Sequence, residues 1–113
     1  ENSVDIINLK ISRLGGLSKS KLFKDICCSL GISLTIEDSW GSQIADAAIG
    51  HLAHTTPAEL HFQSSAFHEY TNVVTAEGAP TVKEGYMYCS ENPGLGIIPN
   101  HKELGNPVLH FFD

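Results

Sequence analysis

The chain predicts an α/β fold built on a parallel sheet, and three observations carry that prediction. Val4, Ile6, Ile7 and Leu9 form an apolar run too continuous for a strand with one wet face, so the strand is expected to be covered on both sides. Two further strand-like stretches follow, each separated from the last by a helical pattern. Lys10 to Glu37 and Glu37 to Ser64 are both 27 positions, the spacing of successive strand-plus-helix units in an α/β barrel or an open parallel sheet.

The first strand, Val4 to Lys10, ends on an amine, and Gly15-Gly16 let the chain turn away from that edge. Leu17-Ser18-Lys19-Ser20 looks like a helix entry with Ser18 as the cap. Leu22, Phe23, Ile26, Cys27 and Leu30 then repeat at helical spacing as the apolar face, Lys19, Lys21, Lys24 and Asp25 fall on a solvated one, and Gly31 closes the helix. Ile32 to Ile36 is a short β-branched strand ending in Glu37 and Asp38. A loop, Asp38 to Ser42, leads to a second helix through Ile44, Ala45, Ala48, Ile49 and Leu52, ended by Thr55-Thr56-Pro57. The third strand runs through Leu60 to Gln63 and breaks into Ser64-Ser65.

From about Tyr70 the pattern changes. Val73-Val74-Thr75, Thr81-Val82-Lys83 and Tyr86-Met87-Tyr88 are short strand-like pieces between Gly- and Pro-containing turns, which predicts an antiparallel appendage. Residues 1–69 and 70–113 are therefore expected to differ in architecture. Three strand–helix units cannot close a barrel of about eight strands, and an open three-stranded sheet leaves apolar edges, so the chain looks like part of a larger one.

Composition narrows the function. With 42% hydrophobic and 18% charged residues the chain has the make-up of a soluble globular protein. A net charge of −6 with only seven Lys and Arg argues against a nucleic-acid backbone or an acidic membrane surface as the main partner. No apolar run approaches the ~20 residues of a membrane helix, and Glu1 to Asp5 lacks the basic start of a signal peptide. The three cysteines, with no C-x-x-C spacing, fit reduced packing residues in a cytoplasmic protein.

In parallel α/β folds, chemistry gathers at the carboxyl ends of the strands. That edge would bring together Lys10, Glu37 with Asp38, and Ser64 with Ser65, a set suited to proton transfer, with Lys10 as general acid or base and a carboxylate to orient it or hold a substrate group. Trp40 is expected at the rim or on a lid, and Phe67 joins these as a substrate-binding or orienting residue. Plainer roles stay open: Lys10 snorkelling from a strand end, the carboxylates capping the next helix, Trp40 packed on a neighbour. His51 and His54 lack a third ligand at recognisable spacing, and His68-Glu69-Tyr70-Thr71-Asn72 has Asn where a zinc-protease helix needs its second histidine, so no metal site is expected in this segment.

Asn8-Leu9-Lys10-Ile11-Ser12-Arg13-Leu14-Gly15-Gly16-Leu17-Ser18, Gly31-Ile32 leading to Ile36-Glu37-Asp38-Ser39-Trp40-Gly41, Ala47 to Ala53, and Pro93-Gly94-Leu95-Gly96 resemble the carboxyl-terminal part of the mandelate racemase and muconate lactonizing enzyme branch of the enolase superfamily. The Lys-Ile-Ser-Arg-x-Gly-Gly element is the most specific part. Glu-Asp-Ser-Trp-Gly is most similar to relatives that dehydrate hydroxyproline or epimerise proline betaines. The resemblance implies a (β/α)7β barrel with a capping domain, of which this chain supplies strands six to eight and a β-rich tail returning to the cap. It implies that Lys10 takes or gives the proton α to the carboxylate of a small substrate, with Mg²⁺ held by carboxylates upstream of Glu1, in a homo-oligomeric full-length enzyme; these 113 residues alone would be inactive. The chain departs from relatives that place an acidic group at the end of strand eight, since Gln63-Ser64-Ser65-Ala66 offers none. Two other classes fit the same residues: a barrel lyase with Lys10 as imine-forming nucleophile, and a non-catalytic interaction module in which Lys10 only neutralises Glu37.

Overall fold

The computed structural model describes residues 3–111. Three parallel strands form one sheet in the order β1 (Ile6–Lys10), β2 (Ser33–Glu37), β3 (His61–Ser64). Between them run a short α1 (Ile11–Leu14), α2 (Leu17–Ser29) and α3 (Gln43–His54). The 27-residue spacing is realised as register, with Lys10 opposite Glu37. On the other side Ile36 faces Ser64, and a bulge between Leu34 and Thr35 skips Phe62, so the second interval arrives one residue early.

Side chains alternate along each strand, so the two sheet faces differ. Leu9, Leu34 and Ile36 face the helices and are fully buried with Ile11, Cys27, Ile49 and Leu52 in one core. The opposite face carries Asn8 and Lys10, Thr35 and Glu37, and Gln63. Central β2 is covered on both faces, the cover that was expected of the first strand. Edge strand β1 is not: it begins at Ile6, and Val4 and Ile6 are exposed, no strand among the described residues pairing with that side.

Gly15 and Gly16 both hold positive φ, 84° and 111°, which lets α1 stop and α2 start within two residues. The α2 N-cap is accordingly Gly16, and the expected cap Ser18 lies inside the first turn. The inward face of α2 matches the predicted one only in Phe23 and Cys27. Ser20, Lys24 and Cys27 are buried and Phe23 packs on the core, whereas Leu22, at 64% exposure, Ile26 and Leu30 point outward. Lys24 is only 4% exposed and crosses to the end of α3, donating to the Thr55 carbonyl at 2.7 Å and to Thr55 Oγ1 at 3.1 Å.

α3 forms where predicted, with Ser42 Oγ accepting from the Ile44 N–H as N-cap; of its predicted face Ile49 and Leu52 are buried and Ile44, Ala45 and Ala48 half-buried, while Asp46 and Ala47 are buried beside them. After β3 a 3-10 turn, Phe67–Tyr70, leads into the tail. Antiparallel pairing appears there as expected, but with one strand displaced. Val73 to Thr75 forms no strand; β4 (Ala76–Glu77) pairs instead with β7 (Ile98–Pro99). β5 (Thr81–Lys83) and β6 (Tyr86–Tyr88) make a hairpin whose central residues, Glu84 and Gly85, carry φ of 52° and 81°, the twist a two-residue hairpin turn requires. A last short helix, α4 (His101–Leu104), precedes the extended end. Among the described residues no helix is long and apolar enough to cross a membrane. Cys27, Cys28 and Cys89 are free thiols, Cys27 buried and the other two half-buried.

Candidate active site

The carboxyl edge of the sheet gathers polar groups around Glu37. Lys10 Nζ lies 2.9 Å from Glu37 Oε1, with the lysine side chain one-third exposed and the glutamate nearly buried. Asn8 Nδ2 donates to the same oxygen at 2.8 Å, and Ser65 Oγ donates to Oε2 at 3.0 Å. One carboxylate therefore ties together side chains from β1, β2 and the residue after β3. Burial pushes the Glu37 carboxyl upward, but the bonds from Lys10, Asn8 and Ser65 outweigh it and hold the carboxyl below its ordinary value.

Asp38 turns away from that edge. It is buried and accepts from Ser12 N–H at 3.2 Å, from Ser12 Oγ, and from Ser39 N–H at 2.6 Å. The residue after β2 thus pins the turn that starts straight after Lys10, and its effect on the site runs through that turn. Arg13 Nε adds a bond to Ser39 Oγ at 3.2 Å.

The two serines separate. Ser65 joins Glu37, whereas Ser64 lies on the helix side of the sheet, where its hydroxyl meets His61 Nε2 at 2.8 Å and lines a cavity with Gly50, Ala53 and His54. The bulge in β3 puts His61 and Ser64 on the same side and takes Ser64 out of the predicted rim set. Burial, with His54 nearby, lowers the pKa of His61.

Trp40, three residues past Glu37, is exposed at the rim. Its ring lies 5.4 Å from that of Phe67 and 6.0 Å from that of Tyr70, which in turn are 6.2 Å apart. Three rings at these separations form one mutually packed apolar cluster, with Trp40 and Tyr70 largely exposed.

Asn8 was legible in principle, since it precedes Lys10 by two and so shares its face. Ser12 and Tyr70 gave no comparable signal, because their partners are fixed only by the return of distant segments to one edge. Among the described residues no three His, Cys, Asp or Glu side chains come together to hold a metal ion.

The family model for the enolase C-terminal domain-like fold matches residues 1–103. The chain belongs to that family. Cis-3-hydroxy-L-proline dehydratase of Roseibium aggregatum is 50% identical over 111 residues, covering 98% of this chain and 30% of that protein. L-Lys-D/L-Arg epimerase of Methylococcus capsulatus is 31% identical over 97 residues, covering 82% of this chain and 26% of the epimerase. Among solved structures, a mandelate racemase/muconate lactonizing enzyme from Roseovarius nubinhibens superposes with a TM-score of 0.88 at 43% identity, over 93% of this chain and 28% of that one. An enolase-superfamily member from the same organism, solved in complex with magnesium, superposes with a TM-score of 0.86 at 32% identity over 93% of this chain and 29% of its own. This enolase-type segment thus spans less than a third of the length of each of these relatives.

Proposed function

We propose that the chain is the carboxyl-terminal barrel segment of an enzyme that removes the proton α to a carboxylate of a small substrate, with Lys10 as the acid or base. Residues 1–69 would supply strands six to eight of a (β/α)7β barrel, and residues 70–113 a β-rich tail packed on a capping domain; residues 1–2 and 112–113 lie outside the described residues. The polar face of the sheet would then line the barrel interior and its helices the outside, which accounts for why Asn8, Thr35 and Gln63 share a row opposite the apolar core.

The observation that carries the reading is Lys10 at the carboxyl end of a sheet strand, held by Glu37 at 2.9 Å, in a chain half identical to a hydroxyproline dehydratase. On that basis cis-3-hydroxy-L-proline is the first substrate to test. Dehydration breaks the Cα–H bond, its electron pair forms the Cα–Cβ double bond, and the Cβ hydroxyl leaves with a proton as water. Lys10, one-third exposed, can exchange protons with a bound substrate, while Glu37 and Asn8 fix the direction of its side chain. Trp40, Phe67 and Tyr70 offer an apolar wall for the ring carbons, and Ser65 steadies Glu37 from the far strand.

Mg²⁺ would supply charge stabilisation at the substrate carboxylate, and the oxygens present here do not fit it. Glu37 is committed to Lys10, Asn8 and Ser65, and Asp38 to Ser12 and Ser39, so ligands would have to come from upstream of Glu1. The cytoplasmic location and the homo-oligomeric full-length enzyme belong to the same proposal.

Lys10→Ala in the complete enzyme decides it. Exchange of the substrate α-proton with deuterated water should fall by at least about a hundredfold with the fold intact, and the 113 residues produced alone should show no turnover. Retained exchange in Lys10→Ala would instead favour the interaction-module reading, which the Lys10–Glu37 ion pair also fits.

A further inference from the structure

The aromatic wall stands on a turn, and the turn hangs from one buried carboxylate. Phe67 and Tyr70 are the first and last residues of the 3-10 turn, with His68 between them. Asp46 projects toward that turn from α3 and is fully buried. Its Oδ2 accepts from the His68 backbone N–H at 2.9 Å and is bonded again by Nδ1 of the same residue. The other ring nitrogen, Nε2, lies 3.2 Å from Glu69 Oε1 at the surface.

Packing alone does not call for this arrangement. A carboxylate sealed inside a helix–sheet core is costly unless something compensates it, and an apolar residue of similar size would fill the space without that cost. The compensation is incomplete as well, because Asp46 Oδ1 is buried with no hydrogen-bond partner among the described residues. Nearby, burial and the Asp46 charge together push the Cys89 thiol pKa up. What Asp46 does provide is a two-point hold on a single residue. Bonding both the backbone and the ring of His68 fixes the position of the turn and its rotation, and α3, capped by Ser42, is a rigid base for that hold.

We propose that Asp46 and His68 are a positioning pair that holds the Phe67–Tyr70 turn against Trp40, and so sets the aromatic wall of the substrate pocket. This rests on the reading that the rim beside Lys10 binds substrate. Neither residue touches the reacting atoms; both act through Phe67 and Tyr70.

The experiment uses the complete enzyme with cis-3-hydroxy-L-proline and protein labelled with 5-fluorotryptophan, the Trp40 resonance being assigned by Trp40→Phe. His68→Leu removes the ring contacts. It should raise KM about tenfold with kcat within about threefold of wild type, and shift the Trp40 fluorine resonance. His68→Asn carries an amide nitrogen at the same number of bonds from Cα as Nδ1, so it should restore both KM and the resonance. An unchanged KM in His68→Leu overturns the proposal, as does a fall in kcat at constant KM. Should His68→Leu not fold, Asp46→Leu decides: it removes the oxygen that takes both His68 bonds at similar side-chain size, and KM and resonance both unmoved would overturn the proposal. If the wild-type enzyme neither binds nor converts that substrate, the substrate assignment fails by itself. The Trp40 resonance in His68→Leu then decides the positioning: a shift reversed in His68→Asn sustains it, and an unmoved resonance overturns it.

Discussion

Replacing Asp38 by alanine tests whether the carboxylate next to Glu37 is there to hold the Lys10 turn. The substitution removes an acceptor that serves Ser12 N–H, Ser12 Oγ and Ser39 N–H. Hydrogen bonds to a charged acceptor contribute about 1.5–3 kcal/mol each, so three of them set an upper bound well above 4 kcal/mol. Ser12 and Ser39 are themselves exposed, so water can take over their freed donors once the carboxylate is gone. The expected loss is therefore about 2–4 kcal/mol of unfolding free energy for Asp38→Ala, and about 1–2 kcal/mol for Asp38→Asn, which keeps one acceptor oxygen. The loss should also reach the site. With α1 no longer pinned to the loop after β2, Lys10 loses its fixed approach, and under the proposed function α-proton exchange should fall about tenfold or more in both variants. Denaturant unfolding of the complete enzyme and proton exchange in deuterated water measure the two effects. An Asp38→Ala protein with unfolding free energy within 0.5 kcal/mol of wild type, a threshold of about the ordinary surface-substitution scatter, and with unchanged exchange would refute the reasoning.

Three further perturbations follow from the packing. Lys24→Met keeps the stem but deletes the donor to Thr55, and should cost about 1.5–3 kcal/mol because the Thr55 carbonyl loses a charged partner; a denaturant midpoint equal to or above wild type would contradict the inward placement of Lys24. Gly50→Ala would put a Cβ 2.0 Å from Cys89 Sγ, so overpacking of about 1–3 kcal/mol should exceed the gain of about 1 kcal/mol in helix propensity, and Cys89→Ala should relieve most of the loss. A Gly50→Ala protein more stable than wild type would show that the segment after β6 does not pack on α3 there. Glu37 predicts a pH dependence: its folded pKa is depressed, so in the acid range the unfolded chain binds more protons and stability rises with pH. The contribution is fully present above the ordinary value of 4.5 and is lost as pH falls through the lower folded value, so the stability gap between wild type and Glu37→Gln should close below that point. A gap constant from pH 3 to pH 7, a range spanning roughly the carboxylate and histidine values, would count against the hydrogen-bonded carboxylate.

The order of elements, the parallel sheet and the pairing of Lys10 with Glu37 were determined by the sequence alone. The physical reason is that a strand has period two and each strand–helix unit nearly constant length, so counting places side chains on faces and strand ends on one edge. The antiparallel character of the tail was legible for the same reason, since its hairpin turn is written locally in Glu84-Gly85. Other choices belonged to the tertiary structure. The predicted apolar face of α2 was Leu22, Phe23, Ile26, Cys27 and Leu30; tertiary packing kept Phe23 and Cys27 inward, left the other three exposed and drew Lys24 to Thr55. Ser64 left the rim because a bulge in β3, invisible to residue counting, shifted the register by one. Asp38 with Ser12, Asp46 with His68, and Trp40 with Phe67 and Tyr70 join residues more than 20 positions apart. Such contacts are set by how loops descend from neighbouring strand ends, and no local propensity encodes that geometry.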